Sequence, residues 1–70
     1  MHRRQLDSAV IAAIAFDAMT NTLEVEFRTG QVHRYLDVPK HVYWRFASAE
    51  SSGSFFDEEV KGRFEEQRVR

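Results

Sequence analysis

The segment Thr22-Leu23-Glu24-Val25-Glu26-Phe27-Arg28 alternates polar and apolar residues without a break. A two-residue period is the mark of a β-strand with one wet and one buried face. Such a strand needs neighbours and a cover for its apolar side, and the flanking sequence supplies both. Upstream, Ala9 to Phe16 is a continuous apolar run containing Val10, Ile11 and Ile14. It is short enough for a strand covered on much of both faces, although its alanine content alone would also suit a helix. Asp17-Ala18-Met19-Thr20-Asn21 provides a turn, and Thr29-Gly30 provides a second one. Gln31 to Val38, carrying Val32, His33, Tyr35, Leu36 and Val38, then reads as a third strand.

Pro39 follows at the first position expected for a helix, where its missing N–H costs nothing, with Asp37 just upstream of the positive helix end. Val42, Phe46 and Ala49, flanked by Tyr43 and Ala47, recur at helical spacing, and the helix should stop within Ser51-Ser52-Gly53. Ser54 is the expected N-cap of a second short helix from Phe55 to Lys61, and Gly62 is its stop. The expected fold is therefore α+β: a three-stranded antiparallel β-meander followed by two short helices packed on the sheet. It forms a single domain over residues 8–64, with a flexible amino terminus at 1–7 and a charged tail at 65–70.

Seventy residues with no cysteine exclude a disulfide scaffold and a cysteine zinc knot. A domain this small buries only about 60% of its unfolded surface, which leaves little room for a deep catalytic cavity. Ten Lys and Arg against eleven Asp and Glu give a net charge of -1, so any attraction to nucleic acid must come from a local patch. Met1-His2-Arg3-Arg4 before the apolar run imitates a secretory signal. However, Asp7 interrupts the transition, and Asp17 occupies the place of a small-residue cleavage site. The run is also too short to span a bilayer, which takes about 20 apolar residues. The expectation is a buried strand in a cytoplasmic protein with no membrane partner.

Two hairpin registers are open. A two-residue loop at Thr29-Gly30 pairs Phe27 with Val32 and Leu23 with Leu36, but it asks Thr29 for a positive φ. A three-residue loop, Arg28-Thr29-Gly30, places glycine at the left-handed position. It pairs Glu24 with Arg34 and sets His33 and Tyr35 opposite Val25 and Leu23. Turn chemistry favours the second, with Tyr35 partly in the core and His33 near a sheet edge; in the first, both rings stand on the glutamate face.

Rings and cations interleave through His33, Tyr35, Tyr43, Trp44 and Phe46 with Arg28, Arg34, Lys40 and Arg45. That mixture suits base stacking and phosphate contacts on single-stranded RNA. Packed aromatics and solvated cations are the commoner arrangement. Trp44 lies off the Val42–Phe46 line, so exposure there would mark a partner surface. Lys61, Arg63, Arg68 and Arg70 form a second basic group, but Glu58, Glu59, Glu65 and Glu66 largely cancel its field. His2, His33 and His41 lack metal-ligand spacing. Ser51, Ser52 and Ser54 around Gly53 match no nucleophile or phosphate-loop pattern. Glu24 and Glu26 are what an alternating wet strand produces. The expectation is a chain that is not an enzyme and takes no cofactor and no metal.

The order of residues nevertheless resembles the KTSC domain family, named after the carboxyl terminus of bacterial lysyl-tRNA synthetases and found also as free-standing small proteins. The resemblance runs through Ser8 to Ile14, Leu23 to Phe27, Gly30, His33-Arg34-Tyr35, Asp37-Val38-Pro39, Val42-Tyr43, Ala49-Glu50-Ser51, Gly53, Phe55-Phe56-Asp57 and Val60-Lys61-Gly62-Arg63. The family's central Tyr-x-Tyr motif departs here, with His33 in the place of the first tyrosine. The resemblance implies RNA binding near tRNA or the translation machinery, and the interleaved rings and cations make Arg28, His33, Arg34, Tyr35, Lys40, Trp44 and Arg45 the candidate contacts. The alternative is a protein-interaction domain or homodimer without nucleic-acid binding.

Overall fold

The computed structural model describes residues 3–70. Five antiparallel strands form one sheet in the order β1-β2-β3-β4-β5: Arg3–Gln5, Ile11–Asp17, Thr22–Phe27, Val32–Tyr35 and Glu66–Arg68. The expected three-stranded meander is its centre. The two added edge strands come from the segments assigned to a flexible amino terminus and a charged tail; Met1 and His2 lie outside the described residues. Both edges are short and charged, a composition that discourages further strand pairing.

The β3–β4 register is the one that turn chemistry favours. Leu23 faces Tyr35, Glu24 faces Arg34 and Val25 faces His33. The Phe27 amide donates to the Gln31 carbonyl, and Gly30 takes φ 95°, a left-handed conformation that costs glycine no side-chain clash. In β2 the pairing slips between Ile11 and Ala13, giving a bulge at Ala12. The extra residue lets Ile11 and Ile14, three apart in sequence, both join the core, while Ala13 and Ala15 lie on the far face.

The near face is covered by helix α1 (Lys40–Ser48) and by helix α2 (Ser52–Phe55), which runs on into a π-helical turn at Phe56–Val60. Pro39 is the N-cap of α1, one position ahead of its expected place, because its extended φ and ψ already lie outside the helix. α1 ends before the Ser51-Ser52-Gly53 stretch expected to stop it, and the second helix begins three residues earlier than expected. Ser51, not Ser54, is its cap: the Ser51 hydroxyl accepts the Ser54 amide. Gly62, at φ 76°, ends the turn as expected. Val42, Phe46, Phe56 and Val60 pack onto Ile11, Ile14, Leu23, Val25 and Tyr35, and the Phe16 and Tyr43 rings stack at 5.3 Å.

Candidate functional site

The sheet register sorts the candidate contact residues onto three separate surfaces. On the open face a row of residues crosses all five strands: Arg3, Ala15, Glu24, Arg34 and Gln67. Ala15 is small, so the Arg3 side chain reaches over it to Glu24 at 2.5 Å, and Arg34 meets the other carboxylate oxygen at 3.1 Å. Arg34 thus neutralises a 6% exposed glutamate. Tyr35 points the opposite way and is only 1% exposed; its ring sits in the core, where no nucleobase reaches it. The expectation that Arg34 and Tyr35 share one contact surface is corrected by the alternation of side chains along β4.

At the end of the β3–β4 hairpin, a groove of about 650 Å3 is lined by the packed rings of Phe27 and Phe56, with His33, Arg28, Lys61 and Glu66 around it. Arg28 is a staple there: its guanidinium donates to the carbonyls of Ser8 at 2.9 Å and Leu6 at 2.8 Å. His33 lies against the Phe27 ring, and its Nδ1 meets Glu66 Oε2 at 2.6 Å. The Tyr35 hydroxyl donates to the same oxygen at 2.5 Å. Because β5 pairs with β4, His33 lies near the sheet edge as expected but one strand in from it.

The donors converging on one oxygen shift Glu66, and the contact shifts Tyr35 in turn. The Tyr35 hydroxyl and then His33 hold the Glu66 carboxyl below its usual value, against a smaller opposing effect of burial. Burial first, then donation to Glu66 and that carboxylate's charge, raises the Tyr35 phenol. Among the described residues, His33 Nε2 is the one buried side-chain polar atom without a hydrogen-bond partner. Glu66 is the residue that sequence reasoning missed: it was grouped with the solvated charges, and no apolar neighbour in 65–68 signalled a strand.

α1 carries the third group. Trp44 is 53% exposed, and Lys40 lies one helical turn before it. Arg45 is bound within the fold, meeting Glu59 at 3.1 Å and lying 5.3 Å above the Phe55 ring. Lys40 makes no ion pair among the described residues. No acidic residue occurs in α1. Among the described residues there is no cluster of three potential metal ligands, and no helix is long and apolar enough to cross a membrane.

The KTSC domain family profile matches residues 7–64, from the loop before β2 to the loop before β5. The chain belongs to the KTSC domain family. It is 35% identical to a KTSC domain protein from Yersinia pestis whose crystal structure superposes with a TM-score of 0.95, covering 99% of this chain and 97% of that one. It is 34% identical over 61 residues to an uncharacterized protein of Stutzerimonas stutzeri, covering 87% of this chain and 86% of that protein. It is also 34% identical over 58 residues to a lysine–tRNA ligase of Nostoc punctiforme, covering 83% of this chain. The match spans only 10% of that ligase's length.

Proposed function

We propose that this KTSC domain is a cytoplasmic, non-catalytic binding module for single-stranded RNA, acting near tRNA or the translation machinery, and that α1 carries the contact. The observation behind this reading is the half-exposed Trp44 with Lys40 one turn away on a helix without acids. An open indole stacks on any base, and an unpaired ammonium beside it takes a phosphate, so the pair binds a strand with little regard to sequence. Arg28, Arg34 and Arg45 are all engaged within the fold, and Tyr35 is buried. Their part in binding is to hold the surface in shape. The KTSC unit also forms part of a lysine–tRNA ligase, an enzyme whose name sets it on tRNA, which favours RNA as the ligand.

Amide shifts of the chain titrated with a short single-stranded RNA and with whole tRNA, at two salt concentrations, test the reading. Perturbation centred on Lys40 to Arg45 and fading with added salt is the expected result. Trp44→Ala should weaken binding by about 1–3 kcal/mol, roughly 5- to 150-fold, with little change in thermal stability. Absence of shifts at low salt sinks the RNA reading. The half-exposed Trp44 would then favour docking of a protein partner or a second copy on the same face, read by sedimentation.

A further inference from the structure

β5, like β1 at the opposite edge of the sheet, is a short strand with no buried residue. Glu66, Gln67 and Arg68 are all exposed, so this strand contributes almost no apolar burial. It stays on β4 through backbone bonds, among them the Leu36 amide to the Glu65 carbonyl at 2.9 Å and the Val32 amide to the Arg70 carbonyl at 2.8 Å. Its one specific side-chain anchor to β4 is the Glu66 carboxylate, received by the Tyr35 hydroxyl and His33 Nδ1. The receiving groups are mostly buried and the guest is not. Tyr35 is 1% exposed, whereas the Glu66 side chain is 48% exposed. A buried hydroxyl needs an acceptor, but nothing in this geometry requires that the acceptor be Glu66.

We infer that the outer edge of β4 is a strand-receiving site, filled in cis by β5, and that an extended acidic peptide of a partner protein exchanges with β5 there, placing a carboxylate between Tyr35 and His33. Backbone pairing supplies the affinity in such strand addition, and a pocket for one side chain supplies the selectivity. Lys61, beside Glu66 at the groove, reinforces the preference for an acid. The tethered β5 competes at an effective concentration in the millimolar range, so exchange answers to a partner that presents more contacts or to a loss of the Glu66 anchor. The inference stands apart from the RNA reading, because α1 takes no part in it.

Hydrogen exchange on the unaltered chain gives the first test. The Val32 and Leu36 amides, closed by the β5 region, should exchange at least about 10-fold faster than the Val25 amide at the sheet centre, through an opening smaller than global unfolding. Identical opening free energies at all three would overturn the proposal. The second test adds a synthetic peptide with the sequence of residues 65–70 to the Glu66→Ala variant and follows the β4 amides. The peptide should bind this variant at least about 5-fold more tightly than it binds the unaltered chain, since only in the variant does the incoming carboxylate meet an empty socket. A peptide in which glutamine replaces the socket glutamate should bind the variant several-fold more weakly. Equal binding of the two peptides, or no β4 shifts, would overturn the proposal. Should Glu66→Ala fail to fold, Glu66→Gln carries the comparison in weaker form, because its neutral oxygen accepts from Tyr35 less strongly than the incoming carboxylate does.

Discussion

Glu24 and Glu66 are the two carboxylates on which this sheet closes, and they work in opposite ways. Glu24 stands at mid-sheet, 6% exposed, and gathers Arg3 from β1 and Arg34 from β4, so one side chain of β3 joins three strands. Glu66 stands on the outermost strand with its side chain 48% exposed and meets a phenol and an imidazole, both from β4. The first interaction pairs full charges where water is scarce, and removing one member leaves the others uncompensated. The second is an anchor at the rim of the molecule that water can replace from outside. Position within the sheet decides whether a carboxylate is a fixed part or a releasable one.

The largest effect that can break this comparison is Glu24→Ala. The variant leaves two guanidiniums facing each other across a gap above Ala15. Because Arg3 and Arg34 keep 38% and 47% of their side chains exposed, both can turn partly to water. The expected cost is about 2 kcal/mol, below that of a fully buried pair, which in a domain of this size lowers Tm by about 10 °C. Glu24→Gln, which keeps the volume and one acceptor, should cost about half as much. Thermal and urea unfolding measure both. A loss under about 0.5 kcal/mol for Glu24→Ala would place Glu24 with ordinary surface pairs and remove the contrast.

Acid separates the two regions by a second route. Glu66 is lowered from its ordinary value of 4.5 chiefly by the Tyr35 hydroxyl and then by His33. A depressed carboxyl stabilises the folded state in full above its unfolded value, and that contribution disappears as pH falls through the lower, folded one. Below about pH 4.5 the Val32 and Leu36 amides should therefore lose protection ahead of Val25, with hydrogen exchange as the readout. Loss of protection at all three positions in a single step would mean that β5 and the sheet centre open together.

The same difference in position explains how much could be read from the sequence. The centre of the sheet was legible because its chemistry is local. The alternation over Thr22 to Arg28 fixes β3, and the left-handed Gly30 fixes the loop, which in turn predicts Glu24 opposite Arg34. The helix at Val42 and Phe46 follows from their spacing. The edge strands were not legible, since Arg3-Arg4-Gln5 and Glu66-Gln67-Arg68 contain no apolar residue with which to set a period. Membership of the sheet reaches them from the partner strand, which is tertiary information. The same holds for the candidate site. Lys40 and Trp44 are neighbours by helical spacing, but the tie of Arg28 to the Leu6 and Ser8 carbonyls and the meeting of Glu66 with Tyr35 bring together residues twenty or more positions apart. The cap moved from Ser54 to Ser51 for a related reason: three serines around Gly53 each satisfy the local rule, and the packing of Phe56 and Val60 selects among them.

The smallest expected effect sharpens the comparison most, because it asks whether β5 is held by one socket or by charge in general. Arg70 follows β5 and approaches Glu26 at 3.9 Å with 66% of its side chain exposed. Such a pair is long, wet and screened by salt, so Arg70→Ala should change stability by less than about 0.5 kcal/mol. Its backbone carbonyl would still accept from Val32, since the substitution removes only the side chain. Protection of the Val32 and Leu36 amides should therefore match that of the unaltered chain, whereas Glu66→Ala should reduce it. If the two substitutions loosened those amides equally, β5 would rest on a diffuse balance of charges, and the convergence of Tyr35 and His33 on one oxygen would carry no selectivity.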